Sequence, residues 1–183
     1  MSELNDIELI KLFRHENKRE RAFSLIVKKY QQKLYWHIRK LVISHDDSDD
    51  VLQNTFVKAW KGLLKFREES QLYTWLYRIA TNESLTFLKN KRRKLSSSIE
   101  DYQNQLADSL ESDEYYTGDE IQKKLQKAIL RLPDKQRLVF NMRYFDDIKY
   151  DEIAEMVGTS VGALKASYHH AVKKIEDYLK NEE

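Results

Sequence analysis

Apolar residues at Phe23, Ile26, Val27, Tyr30, Leu34, Ile38 and Leu41 step by three or four, the spacing that lines one face of an α-helix. The pattern breaks at Ser44-His45-Asp46-Asp47-Ser48, a run of turn and capping residues. A second helix follows with Leu52, Phe56, Ala59 and Trp60 along one side, weakened at Lys61-Gly62. Phe66-Arg67-Glu68-Glu69-Ser70 reads as a polar loop, after which periodicity resumes at Leu72, Trp75, Leu76, Ile79 and Ala80 and runs to Leu88. From Leu95 to about Gly118 no apolar stripe is sustained, and Ser and acids dominate, which predicts a flexible linker containing at most short helical turns. Helical spacing returns at Ile121, Leu125, Ile129 and Leu132. Pro133 interrupts it in a position suited to the first turn of the next helix, which carries Leu138, Val139 and Met142 and stops near Asp146-Asp147. Two further helices complete the chain, and no internal repeat is visible.

One Pro and four Gly in 183 residues are too few for the turns of an all-β protein, so the fold class expected is all-α. The absence of Cys excludes disulfides, thiolate metal sites and a Cys nucleophile. No apolar run approaches the ~18 residues of a membrane span, and the start lacks a basic-then-apolar leader, so a soluble, cytoplasmic protein is expected. The net charge of +2 conceals an asymmetry. Residues 1–94 hold 20 Lys/Arg against 12 Asp/Glu, residues 95–120 hold 8 acids and no base, and residues 121–183 hold 12 bases against 10 acids. A basic block, an acidic spacer and a nearly neutral block predict two small helical domains, 1–94 and 119–183, on a linker at 95–118. A charge run can equally be a solvated face.

The sharpest local pattern lies between Tyr150 and Lys165. A helix-turn-helix needs a small residue where its helices cross, Gly at the turn and an apolar anchor on the second helix. Ala154, Gly158 and Leu164 fill those places, Ile153 and Val157 add core, and Thr159 or Ser160 is a natural N-cap. Leu164, Tyr168, Ala171, Val172, Ile175 and Leu179 form the buried stripe of the second helix. Its free side then presents Gly162, Lys165, Ala166, His169 and Lys173, flanked by Ser167 and His170, a set that suits a DNA major groove. A helical hairpin packed on another protein would look similar. His169 and His170 lie about 100° apart on a helix, so they do not form a two-point metal clamp.

Between Phe66 and Arg93 aromatic residues (Phe66, Tyr73, Trp75, Tyr77, Phe87) alternate with Arg67, Arg78, Lys89, Lys91, Arg92 and Arg93. Aromatic rings stack on unpaired bases while cations hold the phosphate backbone, so this block suits single-stranded nucleic acid. Ser70, Thr74 and Asn82 could read base edges, although Trp75, Leu76 and Ile79 also suit an ordinary core. The helix from Asp47 to Trp60 differs: Asp47, Asp49 and Asp50 crowd its first turn, followed by Gln53 and Asn54. Acids favour a helix N-terminus, and an acidic helix also suits a basic protein partner.

Together these residues closely resemble the extracytoplasmic-function class of bacterial sigma factors, over about residues 20–94 and 119–180. The family's D-A-E-D…Q-E-T-F…A-W helix stands here as Asp47-Ser-Asp49-Asp50-Val-Leu52-Gln53-Asn54-Thr-Phe56…Ala59-Trp60. Its F-R-G-x-S…T-W-L-Y-R-I-A-x-N stretch stands as Phe66-Arg67-Glu68-Glu69-Ser70…Thr74-Trp75-Leu76-Tyr77-Arg78-Ile79-Ala80-Thr81-Asn82. Its L-P-x-x-Q-R and S-x-G-T-V-K-S motifs match Leu132 to Arg137 and Ser160 to Ala166.

The resemblance implies a promoter-specificity subunit with no catalytic residues, no cofactor and no metal. Asp49, Asp50, Leu52, Gln53, Phe56 and Trp60 would dock on core RNA polymerase. Phe66, Arg67, Ser70, Trp75, Tyr77, Arg78, Asn82 and Thr86 would melt the −10 element and capture a base. Ser160, Lys165, Ala166, Ser167, His169, His170 and Lys173 would contact the −35 element. The acidic linker would run through the polymerase cleft, and many relatives are held by a membrane-anchored anti-sigma factor, a candidate partner here. Two departures stand out: Glu68 replaces the usual Gly of the base-capture loop, and Ser167, His170 and Val172 stand where relatives often carry Arg, which predicts weak −35 binding by the C-terminal domain with a shallow salt dependence. A helix-turn-helix regulator acting on duplex DNA without polymerase would explain residues 132–180 only. A hydrolase built on His45, Asp46, Asp47, Asp49 and Asp50 would crowd its ligands into one turn and lack a general base.

Overall fold

The computed structural model describes residues 4–95, 98–113 and 119–181, and its regular elements are helices. Asn5 opens α1 (Asp6–Arg14) with a capping box: its side chain accepts from the Glu8 N–H at 2.9 Å, and the Glu8 carboxylate accepts from the Asn5 N–H at 2.8 Å. This helix buries Leu9, Ile10 and Phe13, and Phe13 meets Trp60 edge-on at 5.2 Å. The apolar periodicity read from the sequence began only at Phe23, so α1 is an addition. α2 (Arg19–Val42) and α3 (His45–Gly62) meet in a tighter break than the sequence suggested. Ser44 caps α3, accepting from the Asp47 N–H at 3.4 Å, so His45 to Ser48 already belong to the helix. α4 (Leu72–Leu95) completes the N-terminal lobe and buries Leu72, Leu76, Tyr77, Ala80 and Leu88.

The C-terminal lobe contains α6 (Glu120–Leu130), α7 (Asp134–Tyr144), α8 (Tyr150–Val157) and α9 (Val161–Asn181). Pro133 stands at the N-cap of α7, one position before the first helical residue. α8 ends on Gly158, whose φ of 70° lies in the left-handed region that glycine enters without steric cost. The Ser160 hydroxyl then caps α9, accepting from the Ala163 N–H at 3.2 Å. Leu164, Ala171 and Ile175 are the buried side of α9, and Phe140 stacks on Tyr168 at 5.7 Å.

The expected linker contains a full helix. Ser98 forms a capping box with Asp101 at the start of α5 (Ile99–Glu111), and Tyr102, Leu106 and Leu110 bury one side against Ile43, Leu88 and Leu130. These three residues repeat at i, i+4 and i+8, a stripe that the surrounding Ser and acids obscure in the composition. The two lobes also lie against each other rather than apart. A single apolar core runs from Leu9, Phe13, Ile38 and Leu76 in the N-terminal lobe to Leu138, Met142, Ile153 and Met156 in the C-terminal lobe.

Candidate nucleic-acid and polymerase interfaces

α3 presents one side to solvent. Asp49, Asp50 and Gln53 are exposed there, and so is Val57, at 46%. Leu52, Phe56 and Trp60 are half-buried; Phe56 meets Phe23 at 6.2 Å, and Trp60 meets Phe23 at 5.1 Å. Of the six residues expected to dock on polymerase, three face out and three anchor the helix from behind. Exposed Val57, with Leu64 at 48%, joins this outer side and escaped the sequence reading, because a single apolar residue on a polar face carries no periodic signal. His45 is engaged locally, 2.7 Å from the Tyr35 hydroxyl and 3.5 Å from Asp49.

On α4, Arg78, Asn82 and Thr86 stand exposed one turn apart, and the stripe continues to Lys89 and Arg93. At its N-terminal end a cleft of about 560 Å³ opens between Phe66, Arg67, Ser70, Trp75 and Arg78. The floor is aromatic: Phe66 packs on Trp75 at 5.0 Å, and the Trp75 ring lies so close over Gly62 that a Cβ there would sit 3.0 Å from it. The loop is held from α1 by Arg14, which donates to the Phe66 carbonyl at 3.1 Å and pairs with Glu68 at 2.7 Å. That role for Arg14 was also missed, since it joins residues 52 positions apart. Glu68 has φ 60°, which explains why a glycine suits this position. Tyr77, expected to touch DNA, is only 4% exposed: it packs on Tyr73 at 4.5 Å and His37 at 4.8 Å, and its hydroxyl donates to the Lys33 carbonyl at 3.3 Å. Phe66 is likewise buried. Burial pushes the Tyr73 hydroxyl up to about 12, helped by the nearby Glu152 and Asp146 carboxylates.

The third surface is α9. Ser160, Lys165, Ala166, His169, His170 and Lys173 are exposed, whereas Ser167 is half-buried. Lys165 lies 5.8 Å from the Tyr150 ring centre, and Lys174 on the flank donates to Gln136 at 3.1 Å. Residues 162 and 166 offer no side-chain bulk, so a groove could approach the backbone there.

Residues 26–94 match the family model for sigma-70 region 2, and residues 122–175 match the model for sigma-70 region 4. The chain is 32% identical over 168 residues to the RNA polymerase sigma-H factor of Pseudomonas aeruginosa, covering 87% of each protein. It belongs to the extracytoplasmic-function class of the sigma-70 family. This sigma factor is also 29% identical over 185 residues to the ECF RNA polymerase sigma-E factor of Haemophilus influenzae, covering 97% of this chain and 96% of that one. Its fold matches CnrH, solved in complex with the cytosolic domain of CnrY, with a TM-score of 0.69 at 23% identity over 97% of this chain and 99% of that one. The sigma factor RpoE of Bartonella quintana, solved with the anti-sigma factor NepR, matches with a TM-score of 0.65 at 21% identity, over 86% and 96%. As a sigma factor the protein directs RNA polymerase to promoters. That assignment replaces the polymerase-independent regulator. Among the described residues no helix is long and apolar enough to cross a membrane.

Proposed function

We propose that the three surfaces divide the work of promoter recognition, with no catalytic step performed by the chain itself. Asp49, Asp50, Gln53 and Val57 on α3 dock on core polymerase, acids complementing a basic partner around a small apolar centre. The cleft beside Trp75 takes an unstacked base of the −10 element, and Arg78, Asn82, Thr86 and Arg93 follow the strand along α4. Lys165, Ala166, His169, His170 and Lys173 enter the −35 major groove. The carrying observation is the α4 stripe: cationic and polar side chains run outward along one line while the opposite side of the same helix is core.

The protein acts in the cytoplasm, where polymerase and promoters are, and an anti-sigma factor of the kind seen with CnrH and RpoE is its expected antagonist. The test is transcription from a library of promoter fragments by purified core polymerase, with and without the chain. Start sites that require the chain are expected, and Asn82→Ala with Thr86→Ala should lower their yield by at least about ten-fold, the loss that even a single base-edge contact in the range of ~1–3 kcal/mol implies. Unchanged yield from that variant would refute the α4 assignment.

A further inference from the structure

The cleft beside Trp75 is lined by parts that are fixed in different ways. Its aromatic floor is set by close packing, with Phe66 on Trp75 at 5.0 Å and the Trp75 ring pressed over Gly62. Arg67, Glu69 and Ser70 belong to the lining too, and the 66–70 segment that carries them has no helical structure. The Arg67 and Glu69 side chains are 3.6 Å apart but too exposed to fix the backbone between them. Within that segment Glu68 holds a φ of 60°, a conformation that persists only where the surroundings enforce it.

The enforcing group comes from α1. Arg14 donates from Nη2 to the Phe66 carbonyl at 3.1 Å and lies 2.7 Å from Glu68 Oε1, so one guanidinium grips the segment at two residues. Among the described residues it is the one side chain outside 66–70 that makes a hydrogen bond or ion pair to it. A basic residue at a helix C-terminus already complements the helix dipole, and Lys11 shares that last turn while staying exposed. The dipole therefore does not account for the direction in which Arg14 reaches.

α1 is a firm mount for this grip. At its start Asp6 pairs with Lys29 at 2.7 Å and accepts from the Tyr30 hydroxyl at 2.7 Å. At its end Phe13 meets Trp60 at 5.2 Å and Phe23 at 6.0 Å. Arg14 thus stands on an element tied to α2 and α3, and it lies before residues 26–94, the stretch that matches sigma-70 region 2. Stacking on an aromatic ring accepts any base, whereas choosing one base requires polar groups placed to within about 0.5 Å. A 66–70 segment without its anchor would keep the first and lose the second.

We propose that Arg14 is a positioning residue for base capture: by fixing the 66–70 backbone beside Trp75 it sets how strictly one base is preferred over the others. This rests on the assignment of the cleft to an unstacked −10 base.

The test uses holoenzyme assembled from core polymerase and the full chain. Its template is a promoter fragment whose start site requires the chain, with each −10 position changed to every base in turn. At the most selective position, the ratio of transcript yields between best and worst base should fall by about ten-fold or more in Arg14→Ala, the order of loss for one hydrogen bond from a charged donor. Core binding and the thermal melt should stay close to wild type. An unchanged ratio would overturn the positioning role, and so would an equal loss on every base, which would make Arg14 a support of the fold alone. Trp75→Leu, which removes the stacking ring but keeps apolar bulk, tests the cleft separately. If it leaves both yield and ratio unchanged, the cleft assignment fails; if it lowers yield while Arg14→Ala changes nothing, only the role of Arg14 fails.

Discussion

His37 sits 1% exposed beneath α4, its Nε2 2.8 Å from the Thr81 hydroxyl and its Nδ1 3.9 Å from Asp146. Burial holds the imidazole below its usual pKa, and the Asp146 carboxylate only partly opposes this; Lys40 adds to the lowering. Asp146 itself is raised by burial, but His37 and Lys40 outweigh that and leave its carboxyl below the usual range. Above the unfolded histidine value of about 6.5 both states are neutral and the contribution of His37 to stability is complete. As the pH falls below that value the unfolded chain takes up a proton that the buried ring resists, so stability falls. A thermal melt should give a lower Tm at about pH 5.5 than at about pH 7.5, and His37→Gln should flatten that difference; an equal slope in the variant would refute it. Glu68 is held in a backbone conformation that few residues tolerate. Its φ of 60° favours glycine, and a β-branched residue fits there poorly. Glu68→Val should lower stability by about 1–3 kcal/mol in denaturant titration, while Glu68→Gly should stay within about 1 kcal/mol, since relief of the backbone offsets the lost Arg14 pair.

Among the helices, α5 is the one whose existence depends most on its neighbours. Thirteen residues are marginal as an isolated helix in water, and this one has a good N-terminal cap but no basic residue in its last turn. Its stability comes from Tyr102, Leu106 and Leu110 against both lobes, with Gln103 donating to the Arg131 carbonyl at 3.0 Å and Glu111 pairing with Lys127. Burial drives the Tyr102 hydroxyl up to about 12, the Arg137 and Arg92 charges notwithstanding. Leu106→Ala should remove protection of the α5 amides in hydrogen exchange while the α2 and α4 amides keep theirs, the signature of local rather than global unfolding. Equal loss of protection in α2 would show that α5 belongs to the common folding unit. The same weakness explains why the segment read as a linker: its propensity is low, and only contacts with Ile43, Leu88 and Leu130 make it a helix.

For the molecule as a whole, charge placement sets how it meets DNA. α9 exposes Lys165 and Lys173 in the groove-facing set, with Lys174 turned to Gln136, so few phosphates are neutralised. Binding of duplex −35 DNA by the full chain should follow log–log salt dependence with a slope of about −2 to −3, from ~0.9 per phosphate contact. A slope near −6 would mean that cations outside α9 join the contact. The basic surplus instead lies in the N-terminal lobe, where Arg78 and Arg92 are engaged by the C-terminal lobe.

The helical class, most helix positions, the turn at Gly158, the free and buried sides of α9, and the three-part motif order that marks the family are all legible in the order of residues. Those properties are local: periodicity, caps and turn chemistry act over fewer than about ten residues and appear in one dimension. The structure decided what depends on residues far apart in the chain. It placed α1 and Arg14 behind the 66–70 loop, buried Tyr77 and Phe66, made a helix of 99–111, and closed one lobe on the other through Arg137, Asn141 and Asp146. A buried polar contact such as that of Arg137 with the Leu41 carbonyl joins residues 96 positions apart, and nothing in either local sequence announces the other. Burial and lobe packing are outcomes of which apolar stripes find one another, and a stripe on its own names no partner.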